Sequence, residues 1–290
     1  MSLIHGIKWR VNKKITPALS KVNYLSVKNK KIDKVRRKYI DDIVVSLTSY
    51  PARFKTLDMC LKSLLVQTIK PYRIIVYLGN DSSYEDIPDN ILEYEKYGIE
   101  FRIDKTEDLK PHKKYYYAMQ EFKDKNIITV DDDVVYPPKM LERLYEAHLN
   151  NPGVICAGRV HRITFDENDR IDEYDKWMHG DDLIKTPSVQ LVPIGIGGVL
   201  YPPKTMNEKM FDVKSIKELC LKADDLWLKC SSCSVGTKVF AVCNSSKYLY
   251  ELEEAQNTAL KKGNVNLKQN DLYFKKAFDF FELEEKDFRE

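Results

Sequence analysis

The sequence predicts an α/β fold with a Rossmann-like, mostly parallel central sheet flanked by helices. It also predicts a single domain over residues 41–290, preceded by a basic extension over residues 1–40. Three observations carry this expectation. Short apolar runs alternate with segments of helical periodicity between residues 43 and 130. The fourth run, Ile127-Ile128-Thr129-Val130, leads into Asp131-Asp132-Asp133, so three carboxylates sit at the carboxyl end of a buried strand. Open α/β sheets bind ligands at that end. The chain has 290 residues, enough for a full core.

The extension carries Lys8, Arg10, Lys13, Lys14, Lys21, Lys28, Lys30, Lys31, Lys34, Arg36, Arg37 and Lys38 against a single Asp33. Ile4, Ile7 and Val11 fit one helical face, and Trp9 suits an interface. This composition fits an anionic membrane surface, a solvated basic tail or an oligomerisation element. The first residues lack the apolar core of a signal peptide, and no run approaches about 18 apolar residues. The expectation is a cytoplasmic protein, peripheral at the inner membrane face at most. A net charge of +3 gives no ground for a nucleic-acid partner. Six Cys show no framework spacing, so reduced thiols are expected. Cys230 and Cys233 form one tight pair, with Cys220 and Cys243 far from a second; a structural zinc site needs two such pairs. Burial as small hydrophobes is the expectation there.

The elements follow in order. Residues 43–47 read as the first strand, and Leu57, Cys60, Leu61, Leu64 and Leu65 mark a helix face. Pro71 reads as a break before a second strand over residues 73–78. Residues 91–97 look helical and stop at Gly98, ahead of a third strand over residues 99–103. Tyr115, Ala118, Met119 and Phe122 mark the helix before the fourth strand. Pro137-Pro138 reads as the first turn of the next helix. Residues 154–157 form a short strand, and residues 160–190 mix charges and aromatics and are expected to cover a site. Gly195, Gly197 and Gly198 sit in an apolar run, fitting either close backbone approach to a ligand or a plain tight turn. Residues 214–233 read as one or two helices and residues 238–243 as a strand. Asn270 is expected to cap a last helix with Leu272, Ala277, Phe278 and Phe281 on its face.

Three crowded carboxylates raise one another's pKa unless a cation neutralises them. A hard divalent ion with oxygen ligands is the direct resolution. A solvated turn is the plain alternative, and the strand before the triplet and the Pro pair after it weigh against that.

A set of ordered motifs resembles GT-A-fold glycosyltransferases, above all family-2-like bacterial sugar transferases of polysaccharide biosynthesis. The motifs are Ser46-Leu47-Thr48-Ser49-Tyr50-Pro51-Ala52-Arg53, the helix end from Ser63 to Gln67-Thr68, and Val130 to Asp133. They continue in Arg159-Val160-His161-Arg162-Ile163, in Gly197-Gly198-Val199-Leu200-Tyr201-Pro202-Pro203 and in Ala223-Asp224-Asp225-Leu226-Trp227. The resemblance implies a catalytic domain for inverting, metal-dependent transfer of a hexosyl or N-acetylhexosaminyl group from a nucleotide-sugar, a UDP-sugar by expectation. The implied acceptor is a glycan or lipid-linked glycan in surface polysaccharide or capsule synthesis. The DXD motif maps onto Asp131 and Asp133 as holders of Mn²⁺ or Mg²⁺, with Asp132 between them on the donor side.

Further implied donor contacts are Thr48, Tyr50 and Arg53 at the nucleotide opening, and Asn80 and Asp81 at the base. Among Lys110, His112, Lys113 and Lys114, the two adjacent lysines Lys113 and Lys114 match the phosphate position. A solvated basic helix start is the alternative there. The resemblance makes Asp225 the general base, with Asp224 beside it; N-capping of the next helix is the alternative. On the acceptor side it points to His161, Gly197, Gly198 and Trp227. His161 fits a metal or acceptor contact, or a satisfied structural histidine, and His179 is a second candidate. Tyr174 and Trp177 could stack on a sugar or fill the core. Two rival readings are a nucleotidyltransferase, which would want a Gly-rich phosphate loop where Thr48 to Arg53 has none, and a catalytically inactive glycan- or partner-binding GT-A module.

Overall fold

A computed structural model of the chain describes residues 3–80, 82–104, 108–179, 184–242, 246–252 and 268–290, with side chains from residue 16 onward. The chain opens with α1 (Leu3–Asn29). It continues through β1 (Lys38–Thr48), α2 (Phe54–Leu65), β2 (Ile69–Leu78), α3 (Asp89–Leu92), β3 (Ile99–Ile103), α4 (Lys113–Glu121) and β4 (Asn126–Thr129). After the Asp triplet come β5 (Val134–Val135), α5 (Met140–Asn150), β6 (Ile155–Ala157), β7 (Val160–Arg162), β8 (Met178–His179), β9 (Leu191–Pro193) and β10 (Val199–Tyr201). The last elements are α6 (Val213–Ser215), α7 (Asp224–Cys233), β11 (Val239–Ala241), β12 (Tyr250–Glu251) and α8 (Gln269–Phe280).

The main sheet has seven strands in the order β11-β6-β10-β4-β1-β2-β3. β1 runs parallel to β2 and β4, β2 to β3, and β11 to β6; β10 is antiparallel to both its neighbours. This is the mostly parallel α/β sheet expected from the sequence. β1 is an interior strand buried on both faces, and its alternate side chains point to opposite sides. Ile43, Val45 and Leu47 pack with Leu57, Leu61 and Leu64 of α2. Val44 packs on the other side with Ile75, Ile127 and Ala118 of α4. Two smaller sheets have the orders β8-β7-β9 and β12-β5.

Several local expectations need correction. Pro71 does not break the chain: it lies inside β2, paired with Ile40. β3 pairs with β2 only from Ile74 onward, so the flank at Pro71 is an edge and no ladder bond is lost there. Pro137-Pro138 lies between β5 and α5 and precedes that helix rather than starting it. Residues 91–97 split into the end of α3 and a 3-10 turn that closes at Gly98, at φ +97°. The last helix begins at Gln269, so Asn270 lies within it, and Leu272 is 52% exposed. Its buried face is Phe274, Ala277 and Phe281.

Among the described residues no helix is long and apolar enough to cross a membrane. The side chains of Ile4, Ile7, Trp9 and Val11, and the whole of Asp81 and Cys243, lie outside the described residues. Cys60, Cys156, Cys220, Cys230 and Cys233 are free and buried.

Candidate active site

The site is built at the carboxyl ends of β1 and β4. Pro51 starts a 3-10 turn, Pro51–Arg53, straight after β1. That turn brings Arg53 under the Asp triplet. Its Nη1 lies 3.0 Å from Asp132 Oδ1 and 2.7 Å from Asp133 Oδ2. Arg53 Nε donates to the Tyr50 hydroxyl at 3.3 Å, and Ser49 Oγ donates to Asp132 Oδ2 at 2.7 Å. Asp132 is thus held on both oxygens and buried. Burial pushes it up to about 6, against the pull of Arg53 and Ser49. Burial, with Asp131 next, also raises Asp133.

The second centre is Lys114 on α4. Its buried Nζ lies 2.9 Å from Asp131 Oδ1 and 2.8 Å from Asp224 Oδ2. It joins the end of β4 to the start of α7. Burial alone would raise Asp224, but Lys114, with His112 behind it, draws it below the usual carboxylate value. Asp225 goes the other way. Burial, then Asp224 and Asp131, pushes it up to about 8, although Lys114 opposes them. The Gly195 amide donates to both Asp225 oxygens, at 3.1 and 3.2 Å. The N-cap of α7 is Ala223, and no side chain caps it. Asp224 and Asp225 are first-turn residues, where the helix dipole favours negative charge.

Gly195, expected only as part of the Gly cluster that fits close backbone approach or a tight turn, adjoins Lys114, Asp131 and Asp225. A β-carbon there would lie 2.7 Å from Lys114 Nζ and 3.2 Å from both Asp131 Oδ1 and Asp225 Oδ1. Gly197 and Gly198 serve packing. A β-carbon at Gly197 would meet the Arg159 amide nitrogen at 2.3 Å, and Gly198 has φ +76° on the way into β10.

The remaining expected residues divide. Thr48 Oγ1 donates to the Tyr77 carbonyl at 2.8 Å, tying β1 to β2. Asn80 is exposed at the end of β2. Lys113 is a correction: its side chain is 4% exposed and pairs with Asp108, so it does not stand with Lys114 at the carboxylates. His112 is fully buried; its Nε2–H donates to the Cys220 carbonyl at 2.9 Å and its Nδ1 accepts from the Tyr115 hydroxyl at 2.8 Å. Burial pushes it down to about 4, so it is neutral.

Trp227 is a second correction. It is 0% exposed, donates to the Met210 carbonyl at 3.0 Å and packs on Phe280 and Phe281, so it offers an acceptor no surface. Trp177 is likewise buried, on Phe274. His161 is buried and stacks on its cross-strand partner His179 at 3.9 Å, with the Tyr174 hydroxyl 3.2 Å from its Nδ1. Burial, then Asp225, raises the Tyr174 phenol.

A cavity of about 520 Å³ opens at the same edge, lined by Pro51, Phe54 and Lys55 beyond β1 and by Asp86, Pro88 and Asn90 beyond β2. Small-molecule sites have this size. Lys55, Asp86 and Asn90 were not expected from the sequence; their only signal was their place after two parallel strands.

Among the described residues no three His, Cys, Asp or Glu side chains form a ready metal cage. The residues present still fit a hard divalent ion. Asp131 and Asp133 each give one oxygen to a basic side chain, and the other has no partner among the described residues. Magnesium-type ions often bind through one or two carboxylates and complete their shell with substrate phosphates and water. The two cations, Arg53 and Lys114, face five carboxylates, Asp131, Asp132, Asp133, Asp224 and Asp225.

Residues 45–198, more than half of the chain, match Glycosyl transferase family 2. The chain belongs to glycosyl transferase family 2. The family 2 match spans Asp131 to Asp133, Lys114 and Gly195 and ends before Asp224 and Asp225. No curated protein matches the chain. Among solved structures it is similar to the mannosyltransferase PcManGT from Pyrobaculum calidifontis in complex with GDP-Man and Mn²⁺. That match has 12% identity and a TM-score of 0.49, over 93% of this chain and 74% of that one. S. aureus TarS 1–349 in complex with UDP-GlcNAc is 16% identical, at a TM-score of 0.33, over 41% of this chain and 33% of that one. The inositol-1-phosphate CTP transferase from T. maritima is 12% identical, at a TM-score of 0.42, over 84% of this chain and 97% of that one. The matched part thus spans a third of the TarS fragment, and it spans 21% of a second TarS structure.

Proposed function

We propose that this family 2 glycosyltransferase moves a hexosyl or N-acetylhexosaminyl group, with inversion, from a UDP-sugar to a glycan or lipid-linked glycan in surface polysaccharide synthesis. The observation that carries the reading is Asp225: a half-buried carboxylate, raised to about 8, fixed by the Gly195 amide and set among Asp224, Asp131 and Lys114. A base works best with a pKa near the operating pH. Ionised Asp225 takes the proton of the acceptor hydroxyl. The hydroxyl oxygen bonds to the anomeric carbon from the face opposite the donor diphosphate. The old carbon–oxygen bond breaks, and its electron pair leaves with the nucleoside diphosphate. Asp224 stays anionic beside Lys114 and keeps the base from losing its affinity for the proton.

The cavity between Pro51 and Asn90 would take the nucleoside. Asp131 and Asp133 would hold Mn²⁺ or Mg²⁺, which would neutralise charge on the leaving diphosphate. Arg53 and Lys114 hold those two carboxylates in place from behind. His161 on β7 and Tyr174, whose hydroxyl lies 3.2 Å from it, would face the acceptor. Residues 1–40 would act as a basic extension that rests on an anionic membrane at its cytoplasmic face.

Calorimetry with a panel of nucleoside diphosphates, with and without Mn²⁺, tests the reading on the wild type and on Asp133→Ala. Mn²⁺-dependent binding of one diphosphate, lost in the variant, is expected. No binding of any nucleotide by the wild type would replace this reading with an inactive binding module. Pyrophosphate release from a nucleoside triphosphate would replace it with a nucleotidyltransferase.

A further inference from the structure

The second half of α1 is built into the donor end of the domain. Asn23 is 6% exposed, and its amide nitrogen donates to two carbonyls, Val135 at 3.1 Å and Tyr248 at 2.9 Å. Both donors of one buried amide are therefore used, on two chain segments far apart in sequence. Val135 belongs to β5, two residues beyond Asp133. Tyr248 leads into β12, which pairs antiparallel with β5, and the Leu252 amide donates to the Asp133 carbonyl at 2.9 Å. Tyr24 packs on Tyr250 with ring centroids 4.7 Å apart, and Val27 is fully buried against Val66 and Val135. Beyond the clamp, Glu251 lies 3.8 Å from Arg159, whose backbone meets Gly197.

We infer that Asn23 and Tyr24 are positioning residues for Asp133. They lock the β5–β12 ribbon whose backbone carries that carboxylate, so residues 16–29 belong to the catalytic unit even though they precede its first strand. The inference deepens the proposed function and rests on Asp133 serving donor binding. Among the described residues, the Asp133 side chain is otherwise paired with Arg53. Its main chain is held by a two-residue strand pair, which is too short to be stable without packing. Asn23 supplies a hydrogen bond to each side of that pair, and Tyr24 and Val27 supply its apolar backing.

The test uses full-length protein. Asn23→Leu removes both donors at similar size. Tyr24→Ala removes only the ring on Tyr250 and is the milder variant, deciding the matter if Asn23→Leu does not fold. Val22→Ser, at a residue 64% exposed, is the control. Hydrogen exchange is read at residues 130–136 and 248–252, without ligand. Mn²⁺-dependent binding of uridine diphosphate is then read by calorimetry.

The expected result is faster exchange in those two segments, with β1 and α4 unchanged. Diphosphate affinity should fall by about tenfold or more, the usual loss when a group that orients a ligand is removed. Val22→Ser should match the wild type in both. Wild-type exchange in these segments overturns the inference. Faster exchange with wild-type affinity overturns it too, because the clamp would then be structural alone. If the wild type binds no nucleoside diphosphate, the functional reading fails instead, and exchange still decides whether the clamp holds the Asp133 loop.

Discussion

Gly195 keeps open the space in which the Lys114 ammonium sits. A methyl group at that position would stand 2.7 Å from Nζ. Lys114 is a cation shared by Asp131, at the end of β4, and Asp224, at the start of α7. A missing side chain on one loop therefore decides whether two distant carboxylates are joined.

Gly195→Ala should leave the fold intact and disable transfer. The atom it strikes first is the end of a flexible side chain, so Lys114 can swing aside at little structural cost, but it then leaves both carboxylates. A displacement of about 1 Å in such a site costs on the order of 100-fold in rate. Gly197→Ala should do the reverse. Its β-carbon would meet the Arg159 main chain at 2.3 Å, which cannot yield, so stability should drop by about 1–3 kcal/mol. Urea titration and initial rates on the two variants separate the outcomes.

Lys114→Met should slow transfer while strengthening Mn²⁺ binding in the absence of nucleotide. Asp131 loses the ammonium that competes for its oxygen, and the cluster gains net negative charge. The pH at which the rate rises should also move upward, since Lys114 is what holds Asp225 down. Weaker Mn²⁺ binding by this variant would mean that Lys114 shapes the metal carboxylates rather than competing for them.

The rate should rise with pH up to a midpoint at or below about 8, because Asp225 must be ionised to accept a proton and a bound cation near Asp131 draws it down. Stability should run the opposite way. The folded protein keeps a proton on Asp225 that the unfolded chain, near the ordinary value of 3.8, has already lost. The stability this contributes is complete below about pH 4 and is lost as the pH rises to about 8. Asp225→Asn should abolish transfer, keep donor binding and flatten that alkaline decline in metal-free protein.

Arg53→Met should destabilise the fold by about 3–5 kcal/mol, the cost of leaving buried carboxylates without their cation. Asp132→Asn added to that variant should recover part of the loss, because Asp132 is the more deeply buried of its two partners. Denaturant unfolding of the single and double variants measures the coupling.

What the sequence made legible was local. The apolar runs of β1, β2 and β4 are continuous because both sheet faces are covered, and the position of Asp131 to Asp133 followed from the run before them. What it left hidden depends on distant neighbours. Asp132 turns inward because Arg53, 79 residues away in sequence, lies under it. Lys113 and Lys114 are adjacent and chemically identical, but about 100° of helical rotation sends one to Asp108 and the other to Asp131. The same rotation misleads at Trp227, two positions from Asp225, which lies nearly opposite it on α7 and ends in the core. Pro71 reads as a break because nothing local says that β3 stops short of it.

The amide of Asn23 reaches partners 112 and 225 positions further along the chain. Contacts of such span form late in folding, since long loops must close first. A ribosome making this polypeptide has released more than four-fifths of it before Tyr248 can meet Asn23. The nascent chain thus carries its acidic triplet for most of its synthesis with the ribbon behind it unlocked.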